Sequence, residues 1–517
     1  MAREMILALD FGSSGVKVTL FDETAAIIAG NYKEYQTYFP KPNYALQSPV
    51  EWWNAFCDAM RALLSNQEIK AEDIVCVSPS AQMSTAIPLS KEGIILQDPC
   101  WIWADMRATE QVERIHAEFG GYENFYNITG GGMTEETYTG FKLAWIKEKM
   151  PELYEKADKF LQVKEFIAWK LTGELSTDYS DASECAMMDI REKIWSKDIL
   201  ESIGVTTEKL LPIKRSFDLL GEVTKTAARE TGLKEGTKVC VGGGDVSIAT
   251  AGAGVSGEGE SYIYIGSGAW TGMYSKTPIF DFPARMVNLC DISGKGYVPH
   301  QMGYCGGIAH RWMRDLVNNI LNSKDMIGYS KIEELVQNSP AGAKGLLFLP
   351  FLRGGGAPYN ELDARGSFLG LDLSHSYADM CRAVMEGTAF VLREMLSKLE
   401  RSAGFNMHKV TLIGGGALSD SWRQILADVI GRPITCTAMR QEANSWGAAI
   451  CGGVCVGMWD SISSAQSLVQ IMSINEPNPE NMKLYSQMNE VARRAFLGNM
   501  DTFHDLAYIR EKYFSGS

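Results

Sequence analysis

At 517 residues the chain exceeds what one hydrophobic core usually organises, and about 100 to 200 residues per domain points to two large domains. Its composition, 45% hydrophobic and 22% charged, is that of an ordinary globular protein and excludes disorder. The 49 basic against 63 acidic residues leave a net charge of −14 with no basic run to offset it, which argues against nucleic acid or an anionic membrane as partner.

The longest apolar runs, residues 345–352 and 448–459, fall short of the roughly 18 to 20 residues that span a bilayer. The N-terminus lacks the layout of a secretory signal, so the cytoplasm is the expected location. The 11 cysteines are scattered in apolar contexts and read as reduced core thiols; Cys451 and Cys455 share a helical face, but no His or second Cys pair joins them at zinc-type spacing.

Along the chain, Met5 to Asp10 is a short apolar run ending in a carboxylate, followed by Phe11-Gly12-Ser13-Ser14-Gly15 and a second strand-like run from Val16 to Phe21, which predicts a hairpin. Glycine lets the main chain of this turn approach phosphate oxygens, the Ser13 and Ser14 hydroxyls add donors, and Lys17 adds a positive charge. Asp10 is suited to hold Mg2+ through water. Asp, Gly and Ser also favour plain hairpin turns, so the segment alone leaves both readings open.

Amphipathic stretches predict helices over 51–64, 140–149 and 158–171, and apolar runs predict strands over 73–77 and 238–241. Gln82-Met83-Ser84 follows the first of these strands. Trp101, Trp103, Asp105 and Arg107 form an aromatic and polar group that suits a polyhydroxylated ligand, although Trp is more often core. Val241-Gly242-Gly243-Gly244-Asp245 is a strand, three glycines and a carboxylate. Asp245 fits a general base that takes a proton from an attacking hydroxyl, and equally a helix cap.

Small residues over 246–258 suggest a junction, giving expected domains of 1–250 and 251–517. Beyond it the opening layout recurs: Ser261 to Ile265, then Gly266-Ser267-Gly268-Ala269-Trp270, then Thr271 to Tyr274. The strand 409–413, Gly414-Gly415-Gly416 and a helix over 420–430 follow in the order where nucleotides bind, although the glycines also suit close helix–strand packing. Residues 448–457 predict a tightly packed helix closing the second core, and the tail from Asn478 is polar helix. The alternation of strands and helices predicts an α/β fold.

This constellation resembles the FGGY family of carbohydrate kinases from about residue 5 to about residue 460. Thr139-Gly140-Phe141-Lys142-Leu143-Ala144-Trp145-Ile146 is similar to the family's first signature. Gly366 to Leu371 with Asp379 to Glu386 is similar to the second. The resemblance implies two actin-like, ribonuclease H-like domains with ATP and sugar in a cleft between them. It implies that Asp10 is the Mg2+-associated aspartate, with Asp245 also near the metal; that Gly12, Ser13, Ser14 and Lys17 form the first phosphate loop and Gly266 and Ser267 the second; and that Asp245 is the base. It further implies that Gly307 and Arg311 contact nucleotide, that Gly415, Gly416 and Asp420 form the adenosine motif, and that Gln82, Met83, Trp103, Asp105 and Trp270 line the sugar pocket.

Within the family the segment 415–431 is most similar to xylulokinases. Two departures stand out: Ala81-Gln82-Met83-Ser84-Thr85 where xylulokinases carry Gly-Gln-Met-His-Gly, and Gly354-Gly355-Gly356 where many members carry Gly-Glu-Arg. The expected activity is transfer of the ATP γ-phosphoryl to a terminal hydroxyl of a ketopentose such as D-xylulose, with other ketoses, glycerol, erythritol or gluconate as alternatives. An actin-like nucleotide switch and a degraded kinase that senses sugar are the rival classes. The expected partner is a small sugar or polyol, with a homodimer left open.

Overall fold

The computed structural model describes residues 4–303, 305–319, 321 and 326–514. The chain forms two compact units that interleave along the sequence: residues 1–256, 274–299 and 442–469 make the first, and 257–273, 300–441 and 470–517 the second. Among the described residues no helix is long and apolar enough to cross a membrane. All 11 cysteines are free thiols.

The first unit is built on β1 (Met5–Phe11), β2 (Gly15–Asp22), β3 (Ile27–Glu34) and β4 (Ile74–Ala81). The predicted hairpin is β1 and β2, paired antiparallel with Asp10 opposite Lys17. β4 runs parallel to β1 with Ser80 beside Asp10, and it also pairs parallel with Lys238–Cys240 and with Gly243–Gly244. The sheet order is Leu219–Glu222, Lys238–Cys240, β4, β1, β2, β3. Burial on both faces explains why Leu7, Ala8 and Leu9 are apolar without alternation.

The second unit repeats this order strand for strand: Ile471–Asn475, Ile434–Thr437, Lys409–Ile413, Glu260–Ile265, Ala269–Met273 and Tyr297–Gly303, the last contributing its 300–303 segment. Its central hairpin is again antiparallel, and its central strand again pairs parallel with the next strand inward. The weak repeat visible in the sequence is therefore a full repeat in topology. A 27-residue helix, Tyr377–Ala403, backs this sheet; it opens on a capping box in which Ser376 and Asp379 serve each other's backbone N–H.

Two expected elements differ. The stretch 158–171 is not one helix: Lys159–Leu161 pairs antiparallel with Ile87–Leu89, and the helix Val163–Thr172 begins only where the Glu165 carboxylate accepts from the Gln162 backbone N–H. The glycine-rich helix near residue 450 spans Ala443–Val456 and closes the first core rather than the second. Trp446 packs on Phe21 with ring centroids 5.3 Å apart, and a Cβ on Gly452 would stand 2.7 Å from Ile6.

Label the short helix Tyr179–Glu184 α1, Asp245–Gly252 α2 and Ala443–Val456 α3. α2 and α3 cross backbone against backbone. A Cβ on Gly252 would lie 1.8 Å from the Ala443 carbonyl oxygen, and one on Gly447 would lie 2.0 Å from that of Ile248. The clashing atoms are main chain and have no rotamer to change. Gly447→Ala is expected to destabilise the protein by about 1–3 kcal/mol, read as a lowered urea midpoint. Gly498→Ala, where a Cβ meets nothing within 4 Å, leaves it unchanged or raised. An unmoved midpoint in Gly447→Ala contradicts the close crossing.

Candidate functional site

The carboxyl ends of three neighbouring strands meet in the first unit. Asp10 stands near the end of β1 and Ser80 near the end of β4, while Gly243 and Gly244 flank β4 on its other side and lead into Asp245, the first residue of α2. Strand ends of this kind are where α/β sheets bind ligands. Both carboxylates are partly exposed. Asp10 is pushed up to about 6 by burial and by Glu442, against a hydrogen bond from Asn444 and the charge of Lys17. Asp245 is pushed up to about 7 by burial and by the Asp10 charge, against backbone hydrogen bonds at its own and the next residue. Asp245 is not the cap of α2: that position is Gly244.

The turn after β1 is pinned from three directions. The Gly12 N–H donates to the Gly15 carbonyl at 3.0 Å, and the Tyr35 hydroxyl donates to the Gly12 carbonyl. Gln47 donates to the Ser13 carbonyl at 2.8 Å, and the Trp103 indole N–H to the Ser13 hydroxyl at 3.1 Å. Ser13 and Ser14 remain exposed. Lys17 is paired with Glu442, 425 residues away in sequence.

The other expected sugar-pocket residues divide. Gln82 is buried, donates to Gln47 at 2.7 Å, and leaves its own carbonyl oxygen without a partner among the described residues. The Met83 thioether covers Gly244, where a Cβ would meet it at 2.4 Å. Trp103 is 39% exposed over the first turn. Asp105 is fully buried, and its carboxylate accepts two bonds from Arg107 at 2.7 and 2.6 Å and one from the Ala45 N–H at 2.8 Å. The structure thus places Asp105 as the anchor of the segment that carries Gln47. Trp270 belongs to the second unit, stacked on Tyr264 at 3.6 Å.

The second unit holds a cavity of about 660 Å3, and Gly266, Ser267, Gly307, Arg311, Gly415, Gly416 and Asp420 all line it. The turn after its first strand is tied to the helix Gly307–Asn318 by Gly307 N–H donating to the Gly266 carbonyl at 2.8 Å and Ile308 N–H to that of Ser267 at 3.1 Å. Those N–H groups are thereby committed to holding the turn, and the groups left facing the cavity for an anion include the exposed Ser267 and Arg311. Gly414 has φ +88°, and a Cβ there would stand 2.5 Å from the Ile265 carbonyl, so only glycine holds this turn. Gly415 is different, since a Cβ there meets nothing within 4 Å and its face is open. His310 lies between Tyr329 and Trp422, each with ring centroids 5.3 Å away. Burial holds its imidazole down to about 4, with Glu333 and Arg314 acting in opposite senses, so it is neutral.

The signature residues do not line the cavity. Lys142 is buried and donates to the Glu136 and Thr137 carbonyls, while Arg382 and Glu386 pair at 2.7 Å and meet Tyr485. Gln47, Glu442, Asn444 and His310 stand among these groups although sequence patterns did not single them out; only their contacts after folding mark them.

Comparison with known proteins agrees with this layout. Residues 5–252 match the N-terminal and 261–456 the C-terminal domain of the FGGY family of carbohydrate kinases. The xylulose kinase of Bacillus subtilis (strain 168) is 29% identical over 500 residues, 96% of this chain and 97% of that protein. The autoinducer-2 kinase of Klebsiella pneumoniae is 28% identical over 504 residues, covering 93% and 92%. A solved gluconate kinase from Lactobacillus acidophilus shares the fold, with a TM-score of 0.88 at 24% identity over 98% of this chain and all of that one. With the repeated strand order, that likeness establishes the actin-like, ribonuclease H-like α/β class expected from the sequence.

Proposed function

The chain belongs to the FGGY family of carbohydrate kinases, and from that premise we propose that it transfers the γ-phosphoryl group of ATP to a terminal hydroxyl of a ketopentose, D-xylulose first among the acceptors to test. The observation that carries the reading is the Asp10 and Asp245 pair at strand ends on either side of β4, with Asp245 poised near 7. A carboxylate so placed accepts the hydroxyl proton as the oxygen attacks, and a value close to neutral balances readiness to accept that proton against being already protonated. The relatives named xylulose kinase favour a pentulose among the family's acceptors.

In the second unit the open Gly415 face gives a flat base a floor, and His310, Tyr329 and Trp422 give it an aromatic wall. The phosphates fit the exposed Ser267 of the turn and the Arg311 guanidinium, both of which line the cavity. In the first unit the turn 12–15 keeps exposed serine hydroxyls for the transferred group. Two partly exposed carboxylates, both raised by burial and Asp245 further raised by the Asp10 charge, fit a divalent cation, and Asp10 and Asp245 would hold Mg2+, which offsets phosphate charge.

ADP release measured with D-xylulose, other ketoses, erythritol, glycerol and gluconate tests the reading. Stimulation by D-xylulose above all others is expected; no stimulation by any acceptor overturns it. Asp245→Asn is expected to lower kcat by about 1,000-fold or more while ATP affinity stays within threefold by calorimetry. Wild-type turnover in that variant removes Asp245 from the chemistry. Gly415→Leu should fold normally, because its side chain enters open space, yet lose about tenfold or more in ADP affinity; unchanged ADP binding would place the nucleotide elsewhere.

A further inference from the structure

One buried carboxyl in the first unit has no assigned task. Glu184 is 5% exposed at the end of α1, and its Oε2 has no hydrogen-bond partner among the described residues. Buried polar atoms are nearly always paired, so an orphaned carboxyl oxygen points to a missing ligand.

The helix that carries it is held rigidly. Asp178 caps α1 by accepting from the Ser180 N–H at 3.0 Å and the Ser180 hydroxyl at 2.6 Å, and Lys164 bridges Asp178 and Asp181 at 3.0 and 3.1 Å. The same face is docked against the start of α2. The Gly244 N–H donates to the Ser180 hydroxyl oxygen at 2.9 Å. Ser183 accepts from the Cys290 N–H at 3.0 Å, and Ser247 donates to the Cys290 carbonyl at 2.8 Å. Residues 180 and 183 are therefore tied to both sides of Asp245, and Glu184, one turn beyond Ser180, shares the Ser180 face. Ser84 arrives from the opposite turn, next to the Met83 side chain that covers Gly244, with φ +57°, a left-handed conformation uncommon outside glycine.

The groups facing Glu184 are Asp245, Asp181, Lys142 and Ser84. Burial, then Asp245 and Asp181, push it up to about 8, while Lys142 and the Ser84 hydroxyl pull it down. A carboxyl that carries a proton near neutrality both donates and accepts, which matches a hydroxyl. The two cations nearby are committed: Lys142 to the Glu136 and Thr137 carbonyls, Lys164 to Asp178 and Asp181. A substrate carboxylate placed here would meet acids with no spare counter-charge.

We propose that Glu184 and Ser84 recognise a hydroxyl of the acceptor beside Asp245, and that they select a neutral polyhydroxylated acceptor over a sugar acid. The proposal rests on the kinase reading above and assigns the position where this chain carries serine in place of the histidine of xylulokinases.

The test uses the full chain as wild type, Glu184→Ala, Glu184→Gln and Ser84→Ala, with D-xylulose, xylitol and D-gluconate, by ADP release and by calorimetry, each variant's melting midpoint serving as fold control. The wild type is expected to favour a neutral acceptor over gluconate at least tenfold. Glu184→Ala should raise that acceptor's KM about tenfold or more, with kcat within threefold and KM for ATP unmoved. Glu184→Gln, which keeps a donor and an acceptor, should recover most of the affinity. An unmoved acceptor KM in Glu184→Ala, a parallel loss of ATP affinity, or a wild-type preference for gluconate overturns the proposal. If no acceptor is phosphorylated, the kinase reading fails and calorimetry decides this one. Neutral-sugar binding weakened by Glu184→Ala upholds it; binding that is absent or equal in both proteins overturns it.

Discussion

The first unit depends on one close approach, the crossing of α2 and α3 through Gly252 and Gly447. Each helix opens on site residues: α2 begins at Asp245, and α3 follows Glu442 and carries Asn444 in its first turn. Because the backbones touch at the crossing, the helix starts are fixed relative to each other and to β1 and β4 beneath them. Asn444 then reaches Asp10, and Glu442 reaches Lys17. Side chains on either glycine would push the helices apart by more than a rotamer change absorbs, and the carboxylates they present would separate with them.

That geometry sets the electrostatics. Asp10 and Asp245 sit in a partly desolvated corner where burial raises both, the Asp10 charge adds to the effect on Asp245, and the Glu442 charge adds to that on Asp10. A surface aspartate would be fully ionised and a weak base. The structure gives up some stability by holding like charges together, and the gain is a carboxylate able to take a proton near neutral pH. Elsewhere the opposite choice is made: Asp105, Asp178 and Asp379 are buried with full sets of donors and serve to anchor backbone.

Much of this was legible in the sequence because the signals are local. A strand, a glycine turn and a strand can be read twice, and the repeat proved to extend over six strands of each seven-stranded sheet. The residues singled out for nucleotide in the second half, at 266–267, 307, 311, 415–416 and 420, line one cavity because each sits near a strand end or helix start, positions that patterns mark well. Long-range partners were not legible. Glu442 and Lys17 are 425 residues apart, and nothing near either one announces the other. The helix 443–456 was readable as tightly packed from its glycines, but glycine spacing says how close a partner comes and not which partner it is. Asp105 shows the converse. Its aromatic neighbours suggested a ligand, and Arg107, two residues on, takes its carboxylate instead.

In the proposed reaction these parts move a phosphoryl group from ATP to a sugar hydroxyl. Phosphorus NMR of the complete protein with ATP, Mg2+ and D-xylulose addresses it most directly. One new phosphomonoester signal is expected for each ADP formed. ADP accompanied by inorganic phosphate alone would contradict it.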